Sequence, residues 1–329
     1  MKYLTEALTF DDVLIVPAKS SIRPSEANIS TKLTKNIKLN VPLISAAMDT
    51  VTESNLAIKI AQMGGLGIIH KNLNFVDQAL EVSKVKRFES GMVINPVTIS
   101  PDETLNNVLK KKEKYNISGI PVVDNKSQKL VGILTNRDMR FAKNLQQKVS
   151  TLMTKNNLVT VSEDISMDNA QKLLHEHRIE KLLVVDKNFK CVGLITVKDI
   201  EKAEKFPFAS KDKMGRLLVG AAVGVGESEG INRIRTLEKA GVDVIVIDTA
   251  HGHSENVVET LKMSKKEFPK LPVVVGNIAT AEAAKELIQN GADALKVGIG
   301  PGSICTTRII AGVGVPQLHA ISETFKIAK

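Results

Sequence analysis

The chain has 329 residues, 43% hydrophobic and 25% charged, which fits a folded protein with room for two domains and excludes a disordered or fibrous one. Its net charge of +9 comes from scattered lysines, and aromatics are only 3%, so no polynucleotide partner is expected. No apolar run approaches the roughly 20 residues that span a bilayer, and the start Met1-Lys2-Tyr3-Leu4-Thr5-Glu6 lacks the order of a secretory signal, so no membrane association is expected either.

The first part, residues 1–90, alternates apolar runs with helical patterns. Val41 to Met48 and Gly67 to His70 predict strands, and residues 55–63 and 76–87 predict helices. Residues 91–207 break this rhythm with an internal repeat, its copies at about 91–150 and 151–207. Thr98-Ile99-Ser100-Pro101 matches Thr160-Val161-Ser162-Glu163, and Pro121-Val122-Val123-Asp124 matches Leu183-Val184-Val185-Asp186. Gly132-Ile133-Leu134-Thr135-Asn136-Arg137-Asp138 matches Gly193-Leu194-Ile195-Thr196-Val197-Lys198-Asp199 with one residue fewer between the strands of the second copy, which predicts a shorter hairpin there. Each copy is too small for a large core and is expected to pack against its twin. Asp138 and Asp199 both stand where an acidic residue caps a helix. His175 and His177 are two apart, do not share a helix face, and are not expected to bind metal.

The alternation resumes over 208–329. Strand-like runs at Leu217 to Val223, Asp243 to Asp248, Pro272 to Gly276 and Ala294 to Gly298 are each followed by a helical pattern, and such near-continuous apolar strands predict a parallel sheet buried on both faces. Lys239-Ala240-Gly241-Val242-Asp243 and Gln289-Asn290-Gly291-Ala292-Asp293 repeat one signature, a glycine ending a helix just before a strand. The rhythm predicts an α/β fold of the (β/α)8 TIM-barrel type, with about six of its eight βα units in this chain, interrupted by the inserted α+β repeat. In such a barrel the chemistry sits at the C-terminal ends of the strands. Met48, Asp248, Asn277 and Cys305 all fall there.

Lys296-Val297-Gly298-Ile299-Gly300-Pro301-Gly302-Ser303-Ile304-Cys305-Thr306-Thr307-Arg308 is the most informative segment. Its three glycines let a ligand approach the main chain and converge N–H groups on an anion. A thiol beside free N–H groups and a cation such as Arg308 is activated as a nucleophile. A Gly-Ser-x-Cys turn taken alone also fits a cysteine used as a small apolar residue. Cys191 and Cys305 lie in separate segments with no disulfide framework, which points to a reducing, cytoplasmic setting.

This string closely resembles the catalytic loop of the inosine monophosphate dehydrogenase and guanosine monophosphate reductase family. The resemblance implies that Cys305 attacks C2 of the purine and that Thr307 orients it or relays a proton. Asp248-Thr249-Ala250 resembles the dinucleotide loop of that family, which implies that Asp248 accepts hydrogen bonds from the nicotinamide ribose of NAD; by itself a carboxylate there also fits a helix cap. Gly298, Ile299 and Gly300 then border nicotinamide, Ser303 bonds the substrate phosphate, and Asn277 and Met48 lie near the purine. Main-chain oxygens of Gly300, Gly302 and Cys305 hold K⁺ by the same resemblance. His251 and His253 have no acidic or cysteine partner in sequence to complete a ligand set.

The insert resembles a tandem pair of cystathionine-β-synthase (CBS) domains, a Bateman module, which implies binding of adenine or guanine nucleotides, with Asp138 and Asp199 as candidate ribose contacts. Together these imply NAD-dependent oxidation of inosine monophosphate to xanthosine monophosphate, and a homotetramer when full-length. The reductase ordinarily lacks the CBS pair; it and a non-catalytic nucleotide sensor are the alternatives. Fewer residues lie outside the insert than the roughly 250 of a complete barrel. The mobile flap with its water-activating Arg-Tyr pair has no counterpart, so a truncated form with little turnover is expected.

Overall fold

The computed structural model describes residues 6–88, 93–94, 96–115, 117–303 and 305–329. Gly91, Ile304 and the side chain of Asp199 lie outside the described residues. The chain divides into two compact units, Met1–Phe88 with Phe208–Asp212 and Leu217–Lys329, and Glu89–Pro207 with Lys213–Arg216.

The first unit is a mixed α/β fold on a parallel sheet. Strands β1 (Gly67–Ile69), β2 (Val219–Val223), β3 (Val244–Asp248), β4 (Val273–Ile278) and β5 (Ala294–Val297) lie in the order β5-β4-β3-β2-β1, every pair parallel. Runs such as Val244-Ile245-Val246-Ile247 are stiff at χ1 and pack well on a pleated surface. The expected strand over 41–48 is reduced to one parallel bridge, Ile44 to Leu66. Pro42 offers no N–H to a ladder, and at Met48 the chain turns back, its carbonyl accepting the N–H groups of Val51 and Thr52 at 3.0 Å each.

Helix α1 (Ser54–Gln62) precedes β1; α2 (Phe75–Phe88), α3 (Arg233–Lys239), α4 (Glu255–Glu267) and α5 (Ala281–Gln289) connect the strands in turn, α2 standing before the second unit's residues, and α6 (Gln317–Ala328) follows β5. Each buries one stripe; in α5 it is Ala283, Ala284 and Leu287. On one face of the sheet Ile68, Leu218, Ala222, Val244, Val246 and Val274 pack with Ile37 and Leu39, from the hairpin of Thr31–Lys32 and Lys38–Leu39.

The N-terminal ends of the strands share one device. Gly241 and Gly291 end their helices at φ of 87° and 94°, in the left-handed region glycine favours. Two residues on, Asp243 accepts the Val219 N–H and Asp293 the Val273 N–H, each at 2.8 Å, and each returns its own N–H to the same residue's carbonyl at 2.9 Å. Lys86, 3% exposed, ties Asp243 at 2.8 Å, Asp212 at 2.9 Å and the Leu217 carbonyl at 3.0 Å. Burial pushes the Asp243 carboxyl above the ordinary range, against the pull of Lys86. This end of the sheet is built for stability.

The second unit holds two similar halves. An antiparallel hairpin of Gly119–Val123 and Leu130–Thr135 matches one of Lys181–Val185 and Cys191–Thr196. The first half packs around Leu105, Val108, Ile120 and Leu134, the second around Leu174, Leu182, Val184 and Ile195. Leu130, Ile133, Leu183 and Leu194 join them. His175 lies in the last turn of the helix Met167–Glu176, which His177 caps. Among the described residues no helix is long and apolar enough to cross a membrane.

Candidate active site

The C-terminal ends of β3, β4 and β5 bring Asp248, Thr249, Asn277 and Gly298 together, and Ser303 and Cys305 follow on the loop after β5. Asp248, the last residue of β3, stands in register with Gly276 of β4, and Gly276 with Lys296 of β5. Lys296 reaches across that row and donates to Asp248 Oδ1 at 2.7 Å. It does so because position 276 has no side chain: a Cβ there would stand 2.5 Å from Lys296 Cβ. Lys71, on the turn after β1, donates to the main-chain oxygen of Asp248 at 2.7 Å.

Beyond β3 the chain is laced to β4. Thr249 gives its N–H and its hydroxyl to the Gly276 carbonyl at 2.9 and 2.8 Å, and Asn277 and Thr249 close the ladder with an N–H to oxygen bond of 2.9 Å. Ala250 follows, exposed. Asn277 Nδ2 donates to the Gly298 carbonyl at 2.9 Å, while Asn277 Oδ1 is buried with no partner among the described residues. An unpaired buried acceptor is costly and points to a donor supplied by something bound. His253 pairs with Glu286 at 2.8 Å, and among the described residues no cluster of His, Cys, Asp and Glu has the makings of a metal site.

After β5 the chain turns at Gly298 and Gly300, with φ of 140° and 78°. Val315 donates to the Ile299 carbonyl at 3.0 Å and Gln317 Nε2 to the Val297 carbonyl at 3.0 Å, which fasten the loop to the start of α6. Cys305 is half-buried, and its N–H closes a tight turn on the Gly302 carbonyl at 3.0 Å. The Thr307 hydroxyl, then the N–H groups of Thr307, Arg308 and Gly300, hold the Cys305 thiol below its ordinary range. The contribution of Arg308 is its main-chain N–H, whereas the sequence pointed to its cationic side chain. Burial drives the other thiol, Cys191, up to about 11. Of the two cysteines, Cys305 is the one whose surroundings favour the thiolate.

Ser303 is exposed on the same loop, and Met48, beyond the bridge at Ile44, is 47% exposed. An open methionine at a strand end is out of place in a core and suits contact with a flat ligand. Lys71 and Lys296 were missed by sequence reasoning. For Lys296 a signal exists: a glycine inside an apolar strand marks a place where something crosses closely. For Lys71 the signal is its position, directly after a strand end.

Residues 7–329 match the IMP dehydrogenase / GMP reductase domain. The chain belongs to that family. It is 58% identical over 330 residues to an inosine-5'-monophosphate dehydrogenase of Aquifex aeolicus, an alignment covering 100% of this chain and 67% of the relative. It is 55% identical over 323 residues to one of Bacillus subtilis, covering 98% and 66%. The chain thus spans about two thirds of the length of these curated relatives. Among solved structures it resembles a GMP reductase from Trypanosoma brucei in complex with guanosine 5'-triphosphate. The TM-score is 0.89 at 38% identity, over 99% of this chain and 79% of that one. The chain is thereby a mixed α/β fold on a parallel sheet, consistent with the barrel of this family.

Proposed function

We propose that the protein oxidises inosine 5'-monophosphate to xanthosine 5'-monophosphate with NAD, in the synthesis of guanine nucleotides. The observation that carries this reading is the Cys305 thiol, lowered by Thr307 and by main-chain N–H groups. In this reading the Cys305 thiolate bonds to C2 of the purine and hydride leaves C2. Water then cleaves the carbon–sulfur bond, which releases xanthosine monophosphate and restores the thiol. NAD, when bound, is the hydride acceptor.

The remaining roles are assigned on the same footing. Thr307 orients the cysteine and moves a proton near it. Asp248 accepts ribose hydroxyls, with Thr249 and Ala250 beside it, and Gly298, Ile299 and Gly300 border nicotinamide. Ser303 binds the substrate phosphate; Asn277 and Met48 meet the purine. The unpaired Asn277 Oδ1 and the open Met48 side chain fit a bound nucleotide. K⁺ is assigned to the carbonyls of Gly300, Gly302 and Cys305: segment 298–308 carries no carboxylate, and main-chain oxygens alone suit a weakly hydrated ion. Bound there, it would stiffen the turn.

The proposal extends to residues 91–207 as a tandem CBS module that binds adenine or guanine nucleotides, between barrel parts 1–90 and 208–329, in a cytoplasmic protein that is a homotetramer when full-length. Asp138 is a cap in the structure: Oδ2 accepts the N–H and hydroxyl of Thr135 at 2.7 Å each, and Oδ1 accepts Thr154 Oγ1 at 3.3 Å. A second reading, GMP reductase, is favoured by the Trypanosoma brucei structure but carries lower identity, 38% against 58%. The two are separated by mixing the protein with inosine monophosphate and NAD, or with guanosine monophosphate and NADPH. The proposal expects at least one equivalent of NADH per Cys305 in the first mixture and no NADPH consumption in the second. The reverse pattern would replace it.

A further inference from the structure

The turn that carries Lys71, from His70 to Asn74, has no regular structure of its own. Within it the buried His70 accepts the Asn72 N–H on Nδ1 at 3.1 Å, and Asn72 donates to Asp49 at 3.0 Å; two further buried side chains, Gln78 and Arg233, grip its ends. Gln78, fully buried in α2, donates from Nε2 to three carbonyls: Ile69 at 3.3 Å, His70 at 3.0 Å and Ala222 at 2.8 Å. One amide thus ties the C-terminal end of β1 to that of β2. Its orientation is unambiguous, because Gln78 Oε1 faces the other way and accepts Arg233 Nη1 at 2.8 Å.

Arg233 is 3% exposed and opens α3. Besides Gln78, its Nη1 donates to the Leu73 carbonyl at 2.9 Å and its Nη2 to Glu229 at 2.8 Å, and the guanidinium stands 4.5 Å from the centre of the Phe75 ring. Both ends of the turn are therefore gripped, His70 by Gln78 and Leu73 by Arg233. Arg233 Nε has no partner among the described residues, but both terminal nitrogens of the guanidinium and both ends of the Gln78 amide are engaged, and buried polar contacts of this kind specify one geometry. The turn then delivers the Lys71 ammonium to the Asp248 carbonyl at 2.7 Å.

We propose that the Gln78–Arg233 pair is a positioning device for the dinucleotide side of the site, acting through Lys71 on the main chain at Asp248. The proposal rests on the reading of Asp248 as a ribose acceptor. A role confined to stability would leave the reactivity of the Lys71 amine unmoved in folded variants, and that amine is the readout.

Acetylation of lysines by an N-hydroxysuccinimide ester, mapped by mass spectrometry, tests it on the whole chain with exposed Lys59 and Lys285 as internal references. In Arg233→Met, which keeps length but no donor, Lys71 should react about tenfold faster relative to the references. Arg233→Lys covers the case in which Arg233→Met fails to fold: one ammonium cannot serve Gln78, Leu73 and Glu229 together, so Lys71 should react about threefold faster. Unchanged Lys71 labelling in folded Arg233→Lys would overturn the proposal. In equilibrium NAD titrations with inosine monophosphate present, Arg233→Lys and Lys71→Met should both raise the Kd for NAD about tenfold. An unchanged Kd would overturn it. Wild-type protein that binds no NAD but shows the expected labelling would count against the function proposed above, and not against the hold of Gln78 and Arg233 on Lys71.

Discussion

Lys296 and Asp248 belong to strands that are not neighbours, yet they meet at 2.7 Å because Gly276 between them has no side chain to obstruct the reach. Three strands in register thereby set one carboxylate at the end of β3, with one oxygen occupied by an ammonium and the main chain behind it tied to Lys71. Under the proposed function, this is the carboxylate that would accept the ribose hydroxyls of NAD.

Lys296→Met and Gly276→Ala separate the geometry of this pair from its contribution to stability. The Lys296 side chain is 42% exposed, so its loss should change unfolding free energy by about 1 kcal/mol or less. Gly276→Ala would put its Cβ 2.5 Å from both Cβ and the main-chain oxygen of Lys296, so strand β5 itself must shift, and the overpacking should cost about 3 kcal/mol or more. Both should weaken NAD binding about tenfold, the worth of one hydrogen bond to a charged group. Calorimetric unfolding and NAD titration check the two halves.

Thr307→Val should raise the Cys305 pKa, since the hydroxyl is the largest cause of its lowering. The thiolate is the reactive form, so the alkylation rate of Cys305 at neutral pH should fall, and its rise with pH should move to higher pH. Cys191, lifted to about 11, should stay unreactive across the same range. Iodoacetamide rates read peptide by peptide from pH 6 to 10 would show it. A Cys305 profile identical in the variant would remove Thr307 from the site.

Burial separates the two aspartate clamps at the opposite end of the sheet. Lys86 is 3% exposed between the part-buried Asp212 and Asp243, so Lys86→Met removes the cation these two carboxylates share and should cost about 3–5 kcal/mol. Lys265 is 24% exposed on Asp293, and Lys265→Met should cost about 1 kcal/mol or less. Urea denaturation of the two variants gives the comparison, and equal losses would contradict it.

Strand-end residues such as Asp248 and Asn277 are legible in the sequence because the punctuation is local: an apolar run, a polar residue, then a helix start. Cys305 is legible because three glycines crowd before it. Strand 41–48 reads too long, since apolar content does not register the missing N–H of Pro42 or the turn at Met48. Arg308 reads as a cation because formal charge is visible in a sequence and the direction of an N–H is not. Lys71, Gln78 and Arg233 act over separations of 144 to 177 residues, and no local pattern announces which carbonyls they will meet.

The central claim is that Cys305 bonds covalently to C2 of a purine nucleotide. Incubation with a 6-chloropurine nucleotide, followed by intact mass and peptide mapping, tests it most directly. The account predicts one adduct per chain on Cys305, its loss in Cys305→Ala, and protection by inosine monophosphate. Modification of Cys191 with Cys305 untouched would contradict it.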